Sequence, residues 1–172
     1  VMYSNPSNEQ WAANNRFDTL KPVQLNDKEK QAVVALALAI LQEQYQPGDL
    51  LPGAEATQSY LRLRLADEKA EVFGCLFLDS KHRVLAIKEL FYGTIDGAPV
   101  YPRIIVQHAL YVNAAAVILY HNHPSGVAEP SDADTAITRR VRDALALIDV
   151  RTLDHIIVTC NESLSMADRG LI

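Results

Sequence analysis

The pattern of apolar and polar positions changes character near residue 50. Residues 1–26 are polar, rich in Asn and without a sustained period, which predicts a tail or loosely packed arm. Asp27 is placed to cap a helix running to about Tyr45, and the middle of that helix, AVVALALAIL, is apolar nearly all round and predicts burial. QPGDLLPG then breaks the chain and sets a boundary between residues 1–50 and residues 51–172.

Beyond the boundary, short periodic segments alternate. AEATQSYLRLRLAD predicts an amphipathic helix with Tyr60, Leu61 and Leu65 inward. EVFGCLFLD and VLAIKELFYGTI, separated by the turn SKHR, predict a β-hairpin. Pro102 suits the first position of a helix through RIIVQHALYVNA. AAVILYH is a continuous apolar run of the kind buried on both faces of a sheet. A helix from Asp132 to about Ile148 carries Ile137, Val141, Leu145 and Ile148 on one stripe, and RTLDHIIVTC predicts a last strand. The order β-β-α-β-α-β predicts an α/β domain with a mixed sheet flanked by helices.

Composition narrows the function classes. The 172 residues are 49% hydrophobic and 22% charged, an ordinary globular balance, with a net charge of −5. An acidic chain lacks the basic face that broad nucleic-acid binding needs, and Arg139, Arg140 and Arg142 read as a solvated helix face. Cys75 and Cys160 make no C-x-x-C pair, which fits a reducing compartment. The longest apolar run is ten residues, too short to span a bilayer, and a cytoplasmic location without membrane attachment is the expectation.

The candidate chemistry lies where the most apolar strand ends, in YHNHPSGVAEPSDAD. Residues i and i+2 of a strand point to one side, so His121 and His123 aim two imidazoles at one point. Ser131 occupies a helix N-cap position, and Asp134 lies in the first turn, where the helix dipole favours a carboxylate that can face the strand end. Two His and one carboxylate leave a fourth position for water, the composition of a catalytic zinc site. Ser131 and Asp134 also match a capping box, a purely structural alternative.

HNHPSGVAEPSDAD reads as H-x-H, seven residues, Ser, two residues, Asp, and resembles the JAMM signature of the JAB/MPN metalloproteases. Together with GTIDGAPVYPR, NAAAVILYHNHPSG and LDHIIV it is similar to the RadC branch of that family over roughly residues 54–172. The resemblance implies a JAB/MPN fold, comparable with the cytidine deaminase fold, and Zn²⁺ held by His121, His123 and Asp134. The full RadC pattern also carries an N-terminal helix-hairpin-helix region. Its glycine-containing hairpins are not found in residues 1–50, so the chain reads as a short form.

Hydrolysis at such a site needs a group to take the proton of water. Glu71 and Glu89, both beside apolar strand residues, are the candidates; Glu71 opens its strand where the family places its glutamate, and it is the favoured one. The resemblance gives Ser131 a role in stabilising the oxyanion, alongside its capping role. Gly126 is expected at positive φ. Of the adjacent pair Asp154 and His155, at most one can support a ligand from behind, because neighbours on a strand face opposite ways. Cys75, His82 and His108 read as core, turn and helix-face residues. The contiguous letters HNH are a coincidence with the nuclease name.

The resemblance implies a zinc-dependent hydrolase acting on a peptide or isopeptide bond in a peptide or protein substrate. The rival is an accessory protein of DNA repair or recombination, without proteolytic activity and acting through partners rather than by direct DNA binding.

Overall fold

The computed structural model describes residues 20–65, 67–93 and 99–172. Most of the arm expected over residues 1–26, and Thr94 and Ile95 of the expected second strand, lie outside them. The chain divides into units at residues 37 and 38, and everything described below as sheet, core or site belongs to residues 38–172.

The described elements are α1 (Asp27–Gln42), α2 (Ala54–Leu65), β1 (Val72–Leu78), β2 (Val84–Tyr92), α3 (Pro102–Tyr111), β3 (Ala116–Asn122), α4 (Asp132–Ala146), β4 (Arg151–Val158) and β5 (Ser163–Ser165). The strands form one sheet in the order β2-β1-β3-β4-β5. Only β3 and β4 are parallel, joined by the crossover through α4; the other pairs are antiparallel. The α/β class with a mixed sheet is as expected, and the edge strand β5 is an addition. Its three residues are too short for a period to register. Among the described residues, no helix is long and apolar enough to cross a membrane.

Alternation along the strands sorts the core into two layers. Phe73, Cys75, Phe77, Val117 and Leu119 face α3 and α4, joined by Ile105, Val141 and Leu145. Val72, Leu76, Leu78, Ile118 and Tyr120 face the opposite way, with Tyr60, Leu61 and Leu65 of α2. The inward residues expected for α2 are therefore those buried. Gly74 is needed where Tyr120 crosses β1, because a Cβ there would collide with the tyrosine ring.

Two expectations fail. Asn26, not Asp27, caps α1: its side chain accepts from the Glu29 amide at 3.1 Å, while Glu29 accepts from the Asn26 amide at 2.8 Å. No residue of α1 is buried. An all-round apolar helix has no defined inner face. Leu38 and Leu41 pack on the core cluster, whereas Ile40 remains 53% exposed.

Candidate metal centre

β3 delivers the histidines. It is buried throughout because β1 and β4 flank it and both its faces are covered. His121 is its sixth residue and completely buried, whereas His123 lies just past the strand end and is partly open. The His123 amide donates to the Val158 carbonyl of β4 at 2.9 Å, which carries the extended geometry one step beyond the strand. The imidazoles therefore turn to one side, as the i, i+2 spacing requires.

α4 delivers the carboxylate. Ser131 caps the helix, its hydroxyl oxygen accepting from the Asp134 amide at 3.1 Å, and Asp134 returns the bond to the Ser131 amide at 2.7 Å. The capping box is real, yet it does not use up Asp134. Its Oδ1 lies 3.2 Å from His121 Nε2 and its Oδ2 lies 3.4 Å from His123 Nε2. The two Nε2 atoms are 2.9 Å apart. Two donors about 2.0–2.1 Å from one tetrahedral zinc would be separated by about 3.3 Å, so the three side chains are spaced as ligands of a single ion. His121, His123 and Asp134 form a group that could hold a metal, with all donor atoms within 4.8 Å of one another.

The electrostatics are those of a closely coupled triad. Burial opposes the charge on Asp134, but hydrogen bonds from His121 and His123 hold its carboxyl well below the usual carboxylate range. The Asp134 hydrogen bond in turn raises the His123 pKa, despite partial burial. Ser131 also donates its hydroxyl to Asp134 Oδ2 at 2.6 Å, leaving the serine exposed at the mouth of the site.

Behind these three side chains lies a further layer of hydrogen bonds. His123 Nδ1 donates to the Val127 carbonyl at 2.7 Å, directing Nε2 inward, and Gly126 in that loop adopts φ +85° as expected. His121 Nδ1 is 2.8 Å from His155 Nε2, and His155 Nδ1 is 2.6 Å from Thr138 Oγ1. Thr138 donates to the Asp134 backbone carbonyl. If His121 presents a bare Nε2 to a metal, its Nδ1 carries the proton, and every later bond then runs one way: His121 to His155 to Thr138 to the Asp134 carbonyl. Desolvation, helped by neighbouring His121, pushes the His155 pKa well down and keeps the ring neutral.

Of the pair on β4, His155 thus lies behind His121. Asp154 faces the other way and braces the chain end, accepting from Ser165 Oγ at 2.7 Å and the Ala167 amide at 3.0 Å. Thr138 escaped the sequence reading, although it follows Asp134 by one helical turn on the same inner stripe. Cys75 is wholly buried in the core, where desolvation pushes its thiol up. His82 sits in the β1–β2 turn at φ 60°, and His108 on α3 packs against Phe77 at 6.2 Å between ring centroids.

The two candidate glutamates separate cleanly. Phe73 of β1 pairs with His121 of β3, antiparallel. Two residues back on one strand and two forward on the other, Glu71 comes opposite His123 on the same face. Its charge contributes to the raised His123 pKa. Glu89 points to the opposite face. A bulge at Leu90 sets Glu89 against Gly74, and its carboxylate is bound by Arg64 of α2 at 2.7 Å and by the Tyr92 hydroxyl at 2.9 Å.

The chain is similar in sequence to known proteins. Residues 51–171 match the RadC-like JAB domain. A UPF0758 protein of Stutzerimonas stutzeri is 59% identical over 140 residues, covering 81% of this chain and 62% of the relative. A UPF0758 protein of Nitrosococcus oceani is 57% identical over 142 residues, covering 83% of this chain and 63% of the relative. The chain thus spans a little under two thirds of the length of these relatives. With the domain matched from the start of the core to the last residues, and the His-x-His and Asp side chains gathered at one sheet end, the chain belongs to the RadC-like JAB family.

Proposed function

We propose that the chain is a zinc-dependent hydrolase that cleaves a peptide or isopeptide bond, with His121, His123 and Asp134 as the metal ligands and Glu71 as the general base. The observation that carries this reading is the convergence of three donors beside a glutamate that is not itself one of them. Zinc in such a site supplies Lewis acidity and brings the pKa of water toward about 7. Glu71, facing His123 across the β1–β3 pair, accepts the proton of the attacking water and passes it to the leaving nitrogen. Ser131, exposed at the mouth, turns its hydroxyl from Asp134 to the oxyanion that develops on the carbonyl oxygen. His121 is buried while His123 and Ser131 border solvent, so substrate approaches from the α4 N-terminal side. Zinc is preferred over harder ions because imidazole supplies two of the three donors.

A panel of peptides and of isopeptide-linked lysines, incubated with the zinc-loaded chain and again after chelation, tests the reading. The expected result is cleavage that chelation abolishes and zinc restores. Stoichiometric zinc without cleavage of any panel member would favour a non-proteolytic role through partners, the repair-associated alternative.

A further inference from the structure

Asn122 stands between the two histidine ligands, yet its side chain lies on the other face of the sheet, 3% exposed. There its Oδ1 accepts from the Val72 amide at 2.7 Å, and its Nδ2 donates to the Ala70 carbonyl at 3.0 Å. A longer contact of 3.5 Å reaches the Glu68 carbonyl. The two short bonds fall on the residues immediately before and after Glu71.

Backbone pairing does not hold that segment to β3. The β1–β3 ladder begins at Phe73 and His121, and beyond it the His123 amide turns to β4, donating to the Val158 carbonyl. On its other side Val72 pairs with Tyr92 of β2, and the Gly93 amide donates to the Glu71 carbonyl at 2.8 Å. We propose that Asn122 is a positioning residue, its side-chain amide replacing the missing peptide of the ladder so that residues 70–72 stay in register and Glu71 faces His123. Only a side-chain amide offers both an acceptor for Val72 and donors for Ala70 at this reach. Aspartate keeps the acceptor, loses the donors and sets a negative charge against a carbonyl. One short stretch therefore places the ligands on one face of the sheet and the base through the other. The inference rests on Glu71 acting as the base.

The test uses the full chain loaded with cobalt(II), whose visible absorption reports the surroundings of the metal and needs no substrate. Asn122→Asp is expected to hold one equivalent of cobalt, to show the band change seen in Glu71→Gln, and to add little to it in the double variant. In the zinc form, kcat should fall by about 10- to 100-fold, the effect of a slightly misplaced group, with KM little changed. Loss of cobalt from Asn122→Asp, a parent-like spectrum, or full additivity in the double variant would overturn the proposal, as would a Glu71→Gln spectrum identical to the parent. Should the parent cleave nothing, the hydrolase reading falls while the spectra still decide the role of Asn122. Should Asn122→Asp fail to fold, amide exchange of the parent decides: the Val72 amide should be protected although its acceptor is a side chain and not a β3 carbonyl, and fast exchange refutes the bond.

Discussion

The two faces of the sheet each hold a cluster of ionisable groups, and they hold them in opposite ways. Facing α2, Glu89 and Arg64 meet at 2.7 Å, and the second Glu89 oxygen takes the Tyr92 hydroxyl. Each charge there is answered by a partner of opposite sign, and the cluster is closed. Facing α4, His121, His123 and Asp134 turn two ring nitrogens and a carboxylate toward one another, while the other nitrogen of each ring is bound from behind. Such a cluster could hold a metal ion. The comparison teaches that the buried charge itself marks nothing; what distinguishes a site is the direction in which its partners leave the reactive atoms pointing.

Exchanging Glu for Gln on each face gives the largest contrast. Glu71→Gln should leave zinc content unchanged and lower hydrolysis by about 10²–10⁴-fold, the usual contribution of a general acid–base group. Glu89→Gln should leave kcat/KM within about twofold, since a change confined to the far side of the sheet alters no group that meets the reacting atoms. Steady-state rates and elemental analysis on both variants check this. An inactive, zinc-replete Glu89→Gln beside a fully active Glu71→Gln would reverse the assignment of the faces.

A smaller effect is expected behind the ligands. His155→Ala removes the acceptor that fixes the His121 tautomer, and zinc affinity should drop by about 10–100-fold, as for other groups that orient a metal-bound histidine. Competition with a chromogenic chelator measures it. Thr138→Val, which keeps the shape and breaks only the next bond of the chain, should produce a weaker loss in the same direction. If metal affinity is unchanged in both, the polar chain behind His121 serves packing alone.

The sequence disclosed the site more fully than the scaffold around it, and the reasons are physical. His121, His123 and Asp134 are set by short-range rules, strand parity and the first turn of a capped helix, and such rules are written in adjacent letters. The faces on which Glu71 and Glu89 lie depend on a bulge at Leu90 and on the register of β1 against two neighbours, neither of which has a local signature. His155 and Asp154 were separable only as alternatives, because parity says that they diverge but not which way the strand faces. The burial expected of α1 failed for a related reason: an all-round apolar pattern carries no direction. Asn122 and Thr138 gave no signal as single letters, since their roles arise from partners fifty and seventeen residues away.

The smallest expected effect lies on the closed face, and it asks whether closure has stabilising value. Arg64 and Glu89 are each roughly a quarter exposed, with side chains 28% and 20% accessible, so solvent screens the pair without removing it. Arg64→Met leaves Glu89 with the Tyr92 hydroxyl alone in a largely apolar setting, and stability should fall by about 1–2 kcal/mol. Glu89→Gln keeps a hydrogen-bonding side chain beside Arg64, which can still reach water, and should cost less than about 1 kcal/mol. With both changes no charge is left uncompensated, so the double variant should be more stable than the sum of the single losses implies. Urea unfolding of the four chains measures this coupling, with the apo form used throughout so that metal binding does not enter the comparison. Zero coupling would mean that the ion pair is a surface contact without energetic weight. A coupling accompanied by failure of the refolded Arg64→Met chain to take up added zinc, where the parent does, would mean that the two faces communicate through β1, and the division drawn between them would have to be abandoned.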